Sequence, residues 1–483
     1  MGLFDHKKKI LVYDAPMSYG KTNEVIQEIN NNPDNFYFVF TPLLSEVSRY
    51  VQSCPEIDFA EPSSEKQTKT QSLEHLLEHT DKSVVTSHAM FENLTQKMLK
   101  SIAYKTTKGK KILVMDEVLE TVRPLQSGVS NEDTKALLKA QFIAVNEDDK
   151  RVTWTGKRLE RYRDIWTAAD NEQLYLIHDK FFVFEIPLRL LELFDKVVIL
   201  TYMFEGSVMY HYFKYYETPF DYYQIDQSKV DEIMDTFRSL ITVVDCSGYG
   251  YVKGALTKGY YQKHDSIRSE LNNCIKNLMD MTDTRLEDTL FTMYSSWQDK
   301  ATGKMIDTEK WLKTVKIGEC SDCTFLDQEG DEECRHSFLS HTVRATNEYS
   351  HKKLMIYCIN KHPHQSVATY FSHKGVPMNK DRYALSEMLQ WLFRGCVRDR
   401  QPMKVAILSD RMQELFKNWL GGDYSGKDSG LDPSKLRTKQ QDYKRWVSKN
   451  PECSCYSFEQ YLKYGGRFLK KTLSENLHGV LEF

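Results

Sequence analysis

No apolar run in this chain approaches the length that crosses a bilayer. Stretches such as Val197-Val198-Ile199-Leu200 stop far short of it. The first residues, "MGLFDHKKK", lack the apolar centre of a secretory signal, and the pattern after Gly2 is not that of a lipidation site. Charge of one sign is also lacking. Lys and Arg number 65 against 68 Asp and Glu, a formal net charge of −3. That excludes a wholly basic nucleic-acid binder but leaves room for a local basic groove. Internal repeats and low-complexity tracts are absent. The ten cysteines form no small-domain framework in a chain of 483 residues, so they read as reduced thiols. The expected setting is the cytoplasm, with no membrane partner.

Aromatic residues, by contrast, are plentiful, with 28 Tyr and 24 Phe. Hydrophobic content is ordinary, so this is a folding composition. The length exceeds what one core supports, and two or three domains are expected.

Short apolar runs alternate with helical stretches along the first part. "KILVYD" (9–14), "FYFVFTP" (36–42), "SVVTS" (83–87), "KKILVMDE" (110–117) and "KVVILTY" (196–202) read as strands. "TNEVIQEINN" (22–31) and "LSEVSRYVQ" (44–52) read as helices. Continuous apolar strands separated by helices imply a parallel sheet covered on both faces, an α/β doubly wound fold. Residues about 125–190 are charged and break the rhythm, as a helical insertion would. The pattern resumes with "TLFTMYSS" (289–296), "KLMIYCIN" (353–360) and "KVAILSD" (404–410). The expected organisation is a first α/β domain over 1–206, a second over 207–420, and a linker with a mainly helical extension over 421–483.

Between the first strand and the first helix lies Ala15-Pro16-Met17-Ser18-Tyr19-Gly20-Lys21-Thr22. The spacing A/G-x-x-x-x-G-K-[ST] brings together what a nucleoside triphosphate needs. Backbone N–H groups and a helix N-terminus face its phosphates, a lysine reaches them, and a hydroxyl serves Mg²⁺. Ala15 stands where the first glycine is usual. The plain alternative is a surface corner with an idle lysine. A phosphate loop also requires a second buried strand ending in an acid, and "ILVMDEV" (112–118) does so at Asp116-Glu117. Asp116 is the candidate Mg²⁺ partner and Glu117 the candidate base for the attacking water.

In these motifs and their order, the chain resembles superfamily-two helicases and translocases of the DEAD-like group, most of all phage-encoded DNA helicases. The resemblance covers about residues 9–420. It implies two RecA-like motor domains in tandem, ATP and Mg²⁺ as cofactors, and DNA, or else RNA, as the strand. By position it makes Thr41 and Pro42 in "VFTPLLSEV", and Thr86 and His88 in "VVTSHAMF", contacts to the nucleic-acid backbone. Thr346 and Asn347 in "VRATNEYSHKK" are the matching contacts of the second domain, and Thr201 in "VILTYMFEGS" heads the coupling motif. "ALSEMLQWLFRGCVRDR" (384–400) resembles the arginine motif, with Gln390, Arg394 and Arg398 spaced for one helix face. The family usually places its last arginine one residue earlier, which leaves Arg398 and Arg400 both open. Only fourteen residues precede Ala15, where the family's adenine-reading motif would lie, so nucleotide choice is expected to be relaxed.

Cys320, Cys323, Cys334 and His336, with His341 beyond them, offer one regular half of a zinc site and an irregular second half. Reduced cysteines in a long loop are the blander alternative. "KLRTKQQDYKRW" and "YLKYGGRFLKK" in the tail mix cations with aromatics, as a solvated face or an auxiliary nucleic-acid surface would. The functional expectation is an ATP-dependent helicase or translocase in phage replication or recombination, with other replication proteins as partners and the host cytoplasm as its place. A phage packaging motor and an ATP-gated clamp that does not unwind are the alternatives.

Overall fold

The computed structural model describes residues 2–422 and 446–450, apart from 43, 66–67, 92–93, 126–128, 247–254, 265, 295, 299–304, 308–336 and 342–348. Met1–Asp423 forms one compact unit and Tyr424–Phe483 another. Of the second, residues 446–449 are described as helical.

The apolar runs become strands because each loses nearly all contact with water. Strands β1 (Ile10–Asp14), β2 (Phe36–Thr41), β3 (Phe59–Ala60), β4 (Ser83–Ser87) and β5 (Lys111–Asp116) come first. An insertion then carries β6 (Val122–Pro124), β7 (Ile143–Val145), β8 (Val152–Trp154), β9 (Leu174–Ile177) and β10 (Phe181–Glu185). With β11 (Lys196–Thr201) and β12 (Phe220–Tyr222), the chain returns to the first sheet. That sheet has the order β12-β1-β11-β5-β2-β4-β3, and every pairing in it is parallel. All six residues of β2 are buried, as a strand covered on both faces must be.

The second lobe holds β13 (Ile241–Val243), β14 (Thr289–Thr292), the hairpin β15 (Ser296–Gln298) and β16 (Met305–Asp307), β17 (Leu354–Tyr357) and β18 (Met403–Ile407). Its sheet, β13-β18-β17-β14, is parallel throughout. The architecture is thus two RecA-like α/β domains in tandem. Among the described residues, no helix is long and apolar enough to cross a membrane. Cys54, Cys246, Cys274, Cys358 and Cys396 are buried free thiols.

Two features differ from the sequence pattern. The insertion is mixed rather than helical: β6, β10 and β9 form an antiparallel sheet, and β7 pairs with β8. Its apolar runs "LYLI" and "FFVFE" are separated by a turn in which His178 and Asp179 have φ of 51° and 53°, the left-handed geometry of a tight hairpin. Secondly, the first sheet does not end before residue 206. Phe220–Tyr222 adds its edge strand beside β1, after the buried helix Val208–Tyr215.

Alternation along the strands sends side chains into two cores. Ile10, Val12, Leu113 and Met115 face a core shared with the insertion and with Val367, Tyr370 and Phe371 of the helix Gln365–His373. Leu11, Tyr13, Ile112 and Val114 face the other, which continues into the second lobe through Met355, Tyr357, Trp391 and Trp419. A third cluster covers the far face of the second sheet.

One knot in the first core is polar. Glu185, at the end of β10, is 3% exposed and accepts hydrogen bonds from the hydroxyls of Tyr216 and Tyr370. Lys374 Nζ donates to Tyr215 Oη at 2.8 Å and lies 4.9 Å from the Tyr370 ring centre. Burial pushes the Glu185 carboxyl from 4.5 up to about 7, against the Tyr216 hydrogen bond and the Lys374 charge. A raised carboxyl pKa means that the folded state holds its proton more tightly than the unfolded chain. Stability is therefore expected to fall as pH rises from 4.5 to about 7, by about 3 kcal/mol in all. In Glu185→Gln this loss should vanish. Urea unfolding at about pH 5 and about pH 8 checks it, and equal pH slopes in the two proteins would refute it.

Candidate active site

The phosphate-loop turn is held at both ends. Asp14, the last residue of β1, accepts hydrogen bonds from the N–H groups of Met203 at 2.7 Å and Phe204 at 2.9 Å. Ala15 N–H donates to Thr201 O at 3.1 Å. Burial raises the Asp14 pKa, opposed by those two N–H donors and the Lys21 charge. At the far end, Gly20 has φ of 99° and immediately precedes the helix α1 (Lys21–Asn30). A side chain is rarely tolerated in that conformation. The first N–H groups of α1 lack partners within the helix, which makes its start a natural anion seat. Lys21 Nζ donates to Ala15 O at 2.6 Å and Pro16 O at 3.2 Å, so the cation is tucked under the loop. Burial lowers its pKa, while Glu117, Asp14 and Asp116 oppose the shift. Tyr19 Oη accepts from Asp226 N–H at 2.9 Å, tying the loop to the connection that leads into the second lobe.

Strand parity brings Asp116 to this place. It follows Ile112 and Val114 on one face of β5, the face covered by α1 and α2 (Leu44–Ser53). Thr22 Oγ1 donates to Asp116 Oδ2 at 3.2 Å and Tyr50 Oη donates to it at 3.1 Å. Burial pushes the Asp116 carboxyl up to about 6, helped by the charges of Glu117 and Glu46. The next residue, Glu117, has φ of 75°, a left-handed conformation that costs of order 1–3 kcal/mol and tends to occur at functional sites. Its N–H still donates to Leu200 O at 2.9 Å.

The second lobe closes the site. A cavity of about 310 Å³ is lined from the first lobe by the loop residues Met17 to Thr22, by Asn23, Pro42, Glu46 and Arg49, and by Asp116, Glu117 and Tyr202. From the second lobe come Gln390, Phe393, Arg394 and Arg398. Gln390 Nε2 donates to Glu117 Oε2 at 3.4 Å across the gap. Arg394 is 4% exposed, and its Nε donates to Gln390 O at 3.2 Å.

These three residues do not share one helix, as their spacing suggested. The helix Lys380–Leu392 stops before Arg394, and Arg398 sits on the 3-10 turn Cys396–Asp399. The break falls at Gly395, where an added Cβ would lie 2.6 Å from Met403 Sδ and 2.9 Å from Met355 Sδ. The backbone presses onto the second sheet there and turns. Arg398 lines the cavity. Arg400, the other arginine left open, follows the 3-10 turn with φ of 58° and is not among the lining residues.

Other sequence candidates fall elsewhere. Thr41 and Thr86 lie at the same edge of the first sheet, where Phe40 pairs with Thr86, but both side chains are buried. His88 is half-buried at the start of the short helix His88–Phe91. Thr201 is buried at the end of β11, beside the cavity-lining Tyr202. Thr346, Asn347, Cys320, Cys323, Cys334 and His336 lie outside the described residues. Among the described residues, no group of three or more His, Cys, Asp or Glu could hold a metal ion. The sequence reading missed Asp14, Glu46, Arg49 and Tyr50. Only the spacing 46, 49, 50 on a helix following Thr41-Pro42 could have signalled the last three.

The family model described as the YonV C-terminal Rossmann-like domain matches residues 235–420. The SPbeta prophage-derived uncharacterized protein YonV of Bacillus subtilis (strain 168) is 27% identical over 443 residues, covering 86% of this chain and 99% of that protein. Among solved structures, an XPD helicase superposes with a TM-score of 0.44 at 11% identity, covering 86% of this chain and 94% of that one. S. tokodaii Xpd4 does so with a TM-score of 0.39 at 9% identity, covering 87% and 95%.

Proposed function

We propose that this protein is an ATP-dependent nucleic-acid helicase or translocase, acting on DNA in phage replication or recombination. One observation carries the reading. Lys21, Thr22, Asp116 and Glu117 from one lobe and Gln390, Arg394 and Arg398 from the other line a single cavity. The donor set fits the ligands: the Thr22 hydroxyl and Asp116 carboxylate, 3.2 Å apart, offer hard oxygens to Mg²⁺, and four cationic side chains, Lys21, Arg49, Arg394 and Arg398, line the space for a triphosphate. Bound Mg²⁺ and ATP would supply a metal-screened phosphoanhydride. Around it, Lys21 holds the outer phosphates and Glu117 orients water and takes its proton. Gln390 steadies Glu117, and the arginines offset charge on the terminal phosphate.

Such a site works only with the lobes together, so binding and loss of the terminal phosphate set lobe closure. The strand would lie along the edge near Thr41, Pro42, Thr86 and His88, with Thr346 and Asn347 as the second domain's contacts by sequence motif and Thr201 linking strand to nucleotide. The prophage-derived relative supports the phage setting; the host cytoplasm and replication partners are proposed with that setting.

Turnover measured with single-stranded DNA, single-stranded RNA or neither tests the reading. Stimulation by polynucleotide is expected, weakening as salt rises. Lys21→Ala should lower the stimulated rate at least ~100-fold. A normal rate in that variant would overturn the site assignment. Strand displacement on forked and blunt duplexes separates a helicase from a clamp.

A further inference from the structure

We infer that Arg49 is a further contact to the terminal phosphate, supplied by α2 in the first lobe and linked to strand binding. This rests on the nucleotide reading above. Helix α2 starts two residues after Pro42. Positions 46, 49 and 50 lie on one of its faces. Val47 and Tyr50 bury against the sheet, and Tyr50 Oη reaches Asp116. Glu46 and Arg49 line the cavity.

The Arg49 guanidinium is held by two oxygens. Nη1 donates to Glu46 Oε2 at 3.0 Å, and Nη2 donates to Asn23 Oδ1 at 2.6 Å. Asn23 directly follows Thr22, so the arginine is parked beside the start of α1. A planar fork with donors on two edges suits exchange from a carboxylate and an amide onto phosphate oxygens. Only a ligand with a terminal phosphate would draw it off Glu46, whose side chain is 13% exposed. The same helix begins two residues after the proposed strand contacts Thr41 and Pro42 and carries in its middle the tyrosine that reaches Asp116. A backbone seated against Pro42 would therefore press on the start of the helix that carries Arg49.

The test uses the full chain as wild type, Arg49→Ala, Arg49→Lys and the double variant Glu46→Gln/Arg49→Ala. Fluorescent ADP and a non-hydrolysable ATP analogue are titrated with Mg²⁺, and turnover is followed with and without single-stranded DNA. Arg49→Ala should bind the triphosphate ~10-fold more weakly, change ADP binding less than ~3-fold, and lose most polynucleotide stimulation. Arg49→Lys should fall between, and the double variant should stay defective. Equal weakening for ADP and the triphosphate analogue would overturn the inference. So would recovery in the double variant, because Arg49 would then merely neutralise Glu46. A wild type that binds neither nucleotide would instead fell the nucleotide reading, and Arg49 with it.

Discussion

Glu117→Gln is expected to cut ATP turnover by roughly 10³-fold while leaving ATP affinity within about 3-fold of wild type. The substitution keeps the side-chain length and an oxygen to accept from Gln390 Nε2, so the contact across the lobes survives. It also leaves the backbone unaltered, in which Glu117 has φ of 75° and its N–H donates to Leu200 O at the end of the strand pair. What it removes is the proton acceptor. A neutral amide cannot take a proton from water, so the chemical step slows and binding does not. Single-turnover hydrolysis alongside equilibrium binding separates the two effects. A rate within about 5-fold of wild type would refute the role of Glu117, since a positioned base ordinarily contributes far more.

Arg394→Ala should lower turnover by about 10³-fold and remove polynucleotide stimulation. Arg394 is almost fully buried and reaches the cavity from the second lobe. A cation there acts only when the lobes are together, so its loss should also uncouple strand binding from hydrolysis. Removing a buried guanidinium also risks the fold. Arg394→Lys is therefore the companion variant, keeping the charge but losing the two-edged fork, and its rate should lie between the other two. Thermal unfolding of both variants distinguishes a chemical defect from a structural one. A stably folded Arg394→Ala protein with a wild-type rate would overturn the assignment. Arg398→Ala should cost less, because that side chain is exposed on the 3-10 turn and solvent shares its charge.

The first sheet was legible in the sequence because buried parallel strands are written as unbroken apolar runs. "FYFVFT" and "KILVMD" could hardly form anything else between polar stretches. The same pattern placed Asp116 and Glu117 at a strand end, and the loop spacing placed Lys21 and Thr22 opposite them. The insertion was not legible, because its strands are short and follow a charged stretch that reads as helix. The Gln390 to Arg398 segment misled for another reason. Helical spacing continues on paper through Gly395, whereas the helix ends at Leu392 and the chain then passes so close to Met355 and Met403 that a side chain at Gly395 would not fit. Arg49 and Glu46 were hard to see because a polar helix face ordinarily means solvent, and only the packing of α2 over β4 and β2, with Tyr50 reaching Asp116, sets that face at the cavity.

The knot around Glu185 has a mechanical consequence. The helix Gln365–His373, which belongs by sequence to the second half of the chain, is fastened to the insertion of the first half through Tyr370 and Phe371, and the next residue, Lys374, lies over the Tyr175 ring. The two halves are therefore stitched along a margin away from the cavity, as well as meeting at it. Separating the halves at the cleft would therefore leave this second seam to be broken or to act as a pivot.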